Sequence, residues 1–416
     1  MAREYYMYKV VPGIPGTNLV ENTIRKYYGN WLLVDKSTDK YSYNIIIEKN
    51  CKPRVLSPNT VIACIDKDDP WELVRSIEYA RALLRQWIVW RGDTYVLAGE
   101  GEELIDYEVH PAYDIFIWRN KLETRILDEK GIVYGSNPLL HKRFGGVHIV
   151  YSGNKPVARL EIPDEGFSFK AIQLSRETTS NDLAEFLEAN RGAILSHIYI
   201  ARKFLDSLGK PDIVIVSFSG GKDSLVVLDL AVKHYGRDIV LPVYVDTGVD
   251  FPITRKYVEE VSRYYGVDIR VEYAPVKENV EKHGLPTKTN RWCTLLKTSA
   301  FNRVVNEYLE RGYKVLVLVG DRDAESEKRA RKPPVRKRKR YLEATPIKQW
   351  STIHVQLYTW INKLPENPLY RMGFYRLGCY ICPALTSLEK YVMIEKLYDQ
   401  LRDKPWFKEF INENRE

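Results

Sequence analysis

A chain of 416 residues and 48.5 kDa exceeds the roughly 100 to 200 residues of one ordinary core, so two or three domains are expected. Its content of 44% hydrophobic, 28% charged and 12% aromatic residues is that of a globular protein and excludes a collagen-like or wholly disordered chain. The net charge of +8 is concentrated in one place: nine of the 63 bases lie between Lys328 and Arg340, and without them bases and acids nearly balance. No stretch approaches the roughly 18 apolar residues that span a bilayer, and Met1 to Tyr6 does not open like a signal peptide, so a cytoplasmic protein without membrane partners is expected.

From residue 1 to 165 the chain reads as short β-type runs: Trp31 to Val34, Tyr43 to Ile47, Val61 to Ile65, Ile115 to Trp118, Val147 to Tyr151 and Val157 to Ile162. Trp71 to Gln86 interrupts them with Leu73, Ile77, Ala80 and Leu84 at helical spacing. A separate, strand-rich α+β domain is predicted, serving a nucleic acid or a partner protein, with core packing as the plain explanation of its Tyr and Trp. Cys51 and Cys64 fall here and read as buried free thiols, since five cysteines are too few for a disulfide scaffold and a reducing cytosol disfavours one.

Residues 166 to 208 are predicted to be a helical connector, with a helix from Leu183 to Leu208 opened by Asp182 and Glu185. From 209 to 416 strands and helices alternate. Ile213 to Val216, Val240 to Val245, Ile269 to Tyr273 and Val315 to Val319 are branched apolar runs, each of the first three followed by an amphipathic helix. Such strands are buried on both faces, which predicts a doubly wound, mainly parallel α/β sheet with ligands at the carboxyl ends of its strands.

At the end of the first of these strands stands Ser217-Phe218-Ser219-Gly220-Gly221-Lys222-Asp223-Ser224, leading into a helix. Two glycines allow close backbone approach, Ser219 and Ser224 offer hydroxyls, and a helix start offers unpaired amides, a combination that binds an anion. Lys222 adds a point charge, and Asp223 suits a ligand hydroxyl or Mg2+. The spacing is neither a Walker loop nor G-x-G-x-x-G. It resembles the SGGKDS pyrophosphate loop of the adenine nucleotide alpha hydrolase-like superfamily, which includes PP-loop ATP pyrophosphatases, tRNA thiolation enzymes and phosphoadenosine phosphosulfate (PAPS) reductases. Val245-Asp246-Thr247-Gly248 is similar to that superfamily's nucleoside-contacting acid, and Gly320-Asp321-Arg322-Asp323-Ala324-Glu325-Ser326 to its GxRxxES segment. Pro346 to Trp350 and Tyr370 to Cys382 resemble the closing region of PAPS-reductase-type domains. The resemblance spans about residues 205 to 395. It implies a nucleotide site, for ATP or for PAPS or adenylylsulfate, built from Ser217, Ser219, Gly220, Gly221, Lys222, Asp223, Ser224, Asp246, Gly320, Arg322, Glu325 and Ser326. Lys222, Asp223 and Arg322 are then the expected catalytic residues, stabilising charge as pyrophosphate leaves.

Arg291-Trp292-Cys293-Thr294 precedes a helix, and Gly378-Cys379-Tyr380-Ile381-Cys382-Pro383 follows far downstream. A CxxC with a remote third cysteine reads as a metal site, with a Cys379–Cys382 redox pair and a zinc ion completed by His283 or His354 as alternatives. Some sulfonucleotide reductases of the resembled family bind a 4Fe-4S cluster through a CC pair and a distant CxxC. Here Trp292 replaces the first member of that pair, and the resemblance implies a cluster held by three thiolates with one iron open, as in some tRNA thiolation enzymes. The RWCT segment also resembles the PAPS-reductase-like component of DNA phosphorothioation systems. Those reductases attack sulfate sulfur with a cysteine near the carboxyl terminus, whereas no cysteine follows Cys382 in this sequence.

The basic run comprises Lys328, Arg329, Arg331, Lys332, Arg336, Lys337, Arg338, Lys339 and Arg340. Its like charges repel and Pro333-Pro334 prevents a continuous helix, so a mobile loop beside the nucleotide site is expected, ordered by a polyanion such as nucleic acid. The leading functional expectation is an ATP-using sulfur transferase acting on a nucleic acid, RNA before DNA, with a sulfur or electron donor protein and a second copy of the chain as partners. A sulfonucleotide reductase using an external thiol and a non-catalytic, ATP-sensing nucleic-acid-binding protein are the alternatives.

Overall fold

The computed structural model describes residues 5–14, 18–29, 31–119 and 121–414, so the opening Met1 to Glu4 lies outside the described residues. The amino-terminal half builds three sheets. The first has the order Leu32–Val34, Tyr8–Pro12, Tyr43–Lys49, Thr60–Ile65, Arg54–Ser57, parallel except for its last pair. Helix Pro70–Gln86 covers it, with the Asp69 carboxylate accepting from the Glu72 amide at 2.7 Å and Pro70 starting the first turn, where no amide hydrogen is needed. A small sheet of Ile88–Arg91, Thr94–Leu97 and Glu102–Glu103 follows. The third is antiparallel, in the order Lys170–Gln173, Lys155–Glu161, Val147–Ser152, Leu139–Lys142, Asp114–Ile117.

The strand Lys170–Gln173 extends the strand-rich half beyond residue 165. The expected helix from Leu183 to Leu208 is two helices, Leu183–Ala189 and Arg191–Ser207. Asp182 caps the first as expected, accepting from the Glu185 amide at 2.8 Å. The break falls at Asn190, whose amide side chain serves a strand: its oxygen accepts from the Leu97 amide at 2.7 Å and its nitrogen donates to the Tyr95 carbonyl at 2.8 Å. Cys51 and Cys64 are joined in a disulfide with Cα atoms 5.5 Å apart, which corrects their reading as free thiols. The pairing of Glu48 with Cys64 in parallel strands leaves the turn residue Cys51 beside its partner.

The carboxyl-terminal half is a doubly wound six-stranded sheet in the order Arg270–Tyr273, Val240–Asp246, Ile213–Ser217, Val315–Leu318, Leu342–Ala344, Val335–Lys337. All neighbours are parallel except the final hairpin. Strand order reverses between Ile213–Ser217 and Val315–Leu318, so the loops leaving their carboxyl ends diverge and open a crevice there. The halves share cores. Phe116, Leu140 and Leu160 of the antiparallel sheet lie in one apolar cluster with Val249, Cys293 and Tyr380, while the first sheet's Ile45 and Val61 join a cluster containing Val214 and Leu225.

Candidate nucleotide and sulfur site

The loop leaving strand Ile213–Ser217 is shaped by Gly220, whose φ of +73° lies in the left-handed region and whose added Cβ would stand 2.8 Å from Thr254 Cγ2. Asn367 Nδ2 donates to the Gly220 carbonyl at 3.1 Å. Ser224 is buried and ties the loop to itself: its Oγ donates to the Gly221 carbonyl at 2.9 Å and accepts from the Ser219 amide at 3.2 Å. Helix Lys222–Tyr235 starts at once, without a side chain of its N-cap Gly221 to cover its amides. The Lys222 amide donates to Tyr370 Oη at 2.9 Å. Gly320, at the end of the neighbouring strand, comes so close that a Cβ there would lie 3.1 Å from the Asp223 carbonyl carbon.

Lys222 is held over the rings of Tyr375 and Tyr370, at 5.0 and 5.3 Å from their centroids, and donates to the Tyr375 carbonyl at 3.2 Å. Its ammonium is 3.4 Å from Asp223 Oδ2. Burial works to raise the Asp223 carboxyl, but Arg322 and Lys222 outweigh it and hold the group below the usual carboxylate range. Arg322 is fully buried. Its Nε lies 2.6 Å from Asp223 Oδ1 and its Nη1 3.2 Å from Oδ2 of Asp114, a residue of the amino-terminal half. Nη2 donates to Thr352 Oγ1 at 3.0 Å. The Arg322 guanidinium thus lies against two carboxylates, a hydroxyl and the Trp350 carbonyl, and does not line the cleft.

A cleft of about 540 Å³ opens above the loop. Its walls include Ser217, Ser219, Gly221, Lys222, Asp223 and Ser224 from the loop, Gly320 and Glu325 from the facing segment, and Cys382. Arg291, Lys297 and Arg376, none singled out from sequence, add positive charge. An adjoining cleft of about 500 Å³ shares Ser217, Ser219 and Lys297 and is walled by Phe301, Asn302, Tyr341 and Tyr244, whose buried hydroxyl has no hydrogen-bond partner. Two expected nucleotide contacts lie elsewhere. Asp246 pairs with Arg255 and accepts from the Gly248 amide, and Ser326 caps the short helix Glu327–Ala330 by accepting from the Arg329 amide.

Cys293 and Cys379 are buried and Cys382 is half-buried at the cleft wall. A hydrogen bond joining Cys379 and Cys382 pushes the Cys379 thiol well up and brings Cys382 down to about 6. All three sulfurs act on one ammonium: burial works against the charge of Lys297, yet Cys379, Asp250, Cys382 and Cys293 raise it above its ordinary value. Neither the cluster reading nor the zinc alternative finds a ready-made ligand set. Among the described residues no three His, Cys, Asp or Glu side chains come close enough to hold a metal ion. His354 lies in the core against His197, bonded to Ser351 Oγ at 2.6 Å, and His283 packs on the Trp292 ring.

Residues 213–385 match the family model of the phosphoadenosine phosphosulfate reductase domain. They belong to the PAPS reductase family. Two uncharacterised proteins of Methanocaldococcus jannaschii are relatives. One is 39% identical over 212 residues, 49% of this chain and 43% of its own, and the other is 30% identical over 245 residues, 56% and 58%. This chain thus spans about half the length of these relatives. Adenosine 5'-phosphosulfate reductase 1 of Bacillus subtilis is 27% identical over 186 residues, covering 42% of this chain and 76% of its own. Among solved structures, PAPS reductase from Candida auris in a phosphate complex aligns at 21% identity with a TM-score of 0.34, over 44% of this chain and 89% of that one. A tRNA thiolase of Methanococcus maripaludis with its 4Fe-4S cluster aligns at 17% identity and 0.34, over 53% and 78%.

The basic run lies inside the PAPS reductase domain and is not the free loop its composition predicts. It forms helix Glu327–Ala330 and then the edge strand Val335–Lys337, paired in register with Leu342–Ala344. Acids on either side of the run neutralise much of it. Arg329 pairs with Glu325 and Asp321, Arg336 with Glu343 and Asp321, Arg338 with Glu343, Lys332 with Asp321, and Arg331 with Glu327. Arg340 donates to the Leu309 carbonyl at 2.8 Å. Arg329 and Arg336 line the nucleotide cleft, while Lys328 and the hairpin tip Lys337 to Arg340 are exposed.

Proposed function

We propose that this chain is an adenine-nucleotide-dependent sulfur transferase that activates an oxygen of a nucleic acid, RNA before DNA, for replacement by sulfur. The observation that carries the reading is a shared cleft: the phosphate loop and Cys382 line one cavity, together with Arg291, Lys297 and Arg376. ATP would lie with its phosphates on the Ser219 to Ser224 loop, Mg2+ partly neutralising them. The acceptor oxygen attacks the α-phosphorus and pyrophosphate leaves. Lys222, the helix-start amides and the cleft arginines stabilise the departing charge. A sulfur donor then displaces AMP from the activated carbon. Cys293, Cys379 and Cys382 would hold a 4Fe-4S cluster, which when bound supplies an iron able to ligate sulfur. The exposed tip from Lys337 to Arg340 stands beside the cleft, where a polyanionic acceptor would be held.

A second reading, a sulfonucleotide reductase using an external thiol, is favoured by the adenylylsulfate reductases to which about two fifths of the chain is similar. The two separate in one experiment on protein purified without oxygen. Pyrophosphate release from ATP that depends on added RNA supports sulfur transfer, and sulfite release from adenylylsulfate or PAPS without such dependence supports reduction. Brown protein with about four irons per chain is expected, and a colourless, iron-free sample overturns the cluster assignment.

A further inference from the structure

Arg322 and Asp323 are neighbours in the GxRxxES-like segment, and both are buried against residues that lie outside the matched domain. Asp114 opens the strand Asp114–Ile117 of the antiparallel sheet and is 0% exposed. Its Oδ1 accepts from the Thr352 amide at 2.8 Å, and its Oδ2 accepts from Thr352 Oγ1 and Tyr375 Oη, both at 2.7 Å. The same Oδ2 lies 3.2 Å from Arg322 Nη1, and Arg322 Nε lies 2.6 Å from Asp223 Oδ1. An unbroken line of buried charge thus runs from the amino-terminal half to the first turn of the phosphate-loop helix. Neither Asp114 nor Arg322 lines the cleft, whereas Asp223 does.

We propose that Asp114 is a positioning residue for the phosphate loop, acting through Arg322 on the Asp223 carboxylate. A guanidinium is a rigid planar fork, so anchoring one end fixes the direction of the other. With Asp114, Thr352 and the Trp350 carbonyl on its terminal nitrogens, Arg322 keeps Nε 2.6 Å from Asp223 Oδ1, an ion pair outside hydrogen-bond geometry whose charge holds that carboxylate at the cleft floor. Charge supports the same assignment. Asp114, Arg322, Asp223 and Lys222 together are neutral, and removal of the Asp114 charge leaves Asp223 as the main counter-ion of Arg322, drawn toward it and away from a ligand. Asp114 would thereby make the amino-terminal half a working part of the nucleotide site.

The test is a double-mutant cycle read as Mg·ATP affinity of the full chain, and it rests on the reading of Ser219 to Ser224 as a phosphate loop. Asp114→Asn and Asp223→Asn are each expected to weaken binding about tenfold, and the double variant to bind no more weakly than Asp223→Asn alone, since coupled residues are not additive. Tyr375→Phe, which removes one donor to Asp114 and keeps the ring under Lys222, is a milder variant should Asp114→Asn fail to fold. It should weaken binding about two- to threefold, and not at all in the Asp223→Asn background. Losses that multiply, or wild-type affinity in both Asp114→Asn and Tyr375→Phe, overturn the inference alone. A wild-type protein that binds no adenine nucleotide overturns the phosphate-loop reading and the inference together.

Discussion

The carboxyl-terminal half places its chemistry on loops at strand ends: the phosphate loop, Glu325 and Cys382 all face one cleft. The amino-terminal half lines none of that cleft, yet it supplies Asp114 and Arg81, 0% and 1% exposed, which pair with the adjacent residues Arg322 and Asp323. One half carries the groups a ligand meets and the other carries counter-charges that hold them. A buried charge needs a partner, and here the partners of the facing segment come from a different sheet and a different helix. Additions to a nucleotide-binding sheet can therefore be structural parts of its site without touching the ligand.

The largest effect expected from breaking this arrangement is at Asp323. Its carboxylate lies 2.5 Å from both Arg81 Nη2 and Lys348 Nζ, and Tyr8 Oη donates to it at 3.3 Å. Asp323→Ala leaves the buried Lys348 ammonium without a carboxylate and Arg81 with Glu78 alone, and should cost about 3 to 5 kcal/mol in urea unfolding. Burial works to raise this carboxyl, but Arg81 and Lys348 hold it below its ordinary 3.8. A depressed folded-state value means that its stabilisation is complete above the unfolded value and is lost as pH falls through the folded one. Wild-type stability should therefore fall steeply below about pH 4, and the Asp323→Ala curve should be flatter there.

Next comes the disulfide, which belongs to the amino-terminal half alone. Cys51→Ser opens a link between residues 13 apart and should cost about 2 to 3 kcal/mol in the same assay. Nucleotide affinity should stay at the wild-type value, and a matching loss of affinity would show that the two halves are coupled more widely than through Asp114 and Arg81. Gly220→Ala reverses the pattern. A left-handed non-glycine residue costs about 1 to 2 kcal/mol, and the Cβ meets Thr254, so stability falls modestly while Mg·ATP affinity falls tenfold or more. Calorimetry on this variant and on Cys51→Ser separates loop geometry from general stability.

These contrasts follow how far apart in the chain each partner lies. The phosphate loop was legible because glycines, hydroxyls and helix start are contiguous between Ser217 and Ser224, and local chemistry specifies the turn. The position of Arg322 after a strand is readable and its partner is not: Asp114 lies 208 residues upstream, at the start of a strand legible from Ile115 onward, and nothing local marks its carboxylate as a counter-ion. Asp246 ends its strand, as its sequence position indicates, yet its carboxylate pairs with Arg255 in the following helix, at a spacing that any surface pair could show. The three cysteines are legible by their motif, but Lys297, whose charge they favour, sits in an ordinary helix. In the amino-terminal half the strand Tyr8–Pro12 and the helix Asn18–Tyr27 are absent from the sequence reading, since a short buried parallel strand shows no alternation.

The smallest effect on stability, and the one that most sharpens the division of labour, concerns the hairpin tip. The composition of the basic run takes no account of its flanks, where Asp321, Glu325 and Glu343 lie just outside it and neutralise its half-buried members. What remains for a partner is the exposed part, of which Lys337 and Lys339 lie outside the nucleotide cleft. Replacing both by Ala removes no packed atoms, so the unfolding free energy should change by less than about 0.5 kcal/mol. Mg·ATP affinity should be unaltered. If the tip holds nucleic acid phosphates, affinity for single-stranded RNA should fall, and the slope of log affinity against log salt should shrink by about 0.7 for each lost contact. An unchanged slope would mean that the tip meets no polyanion, and an acceptor would then have to approach the cleft from the side of Arg291 and Arg376.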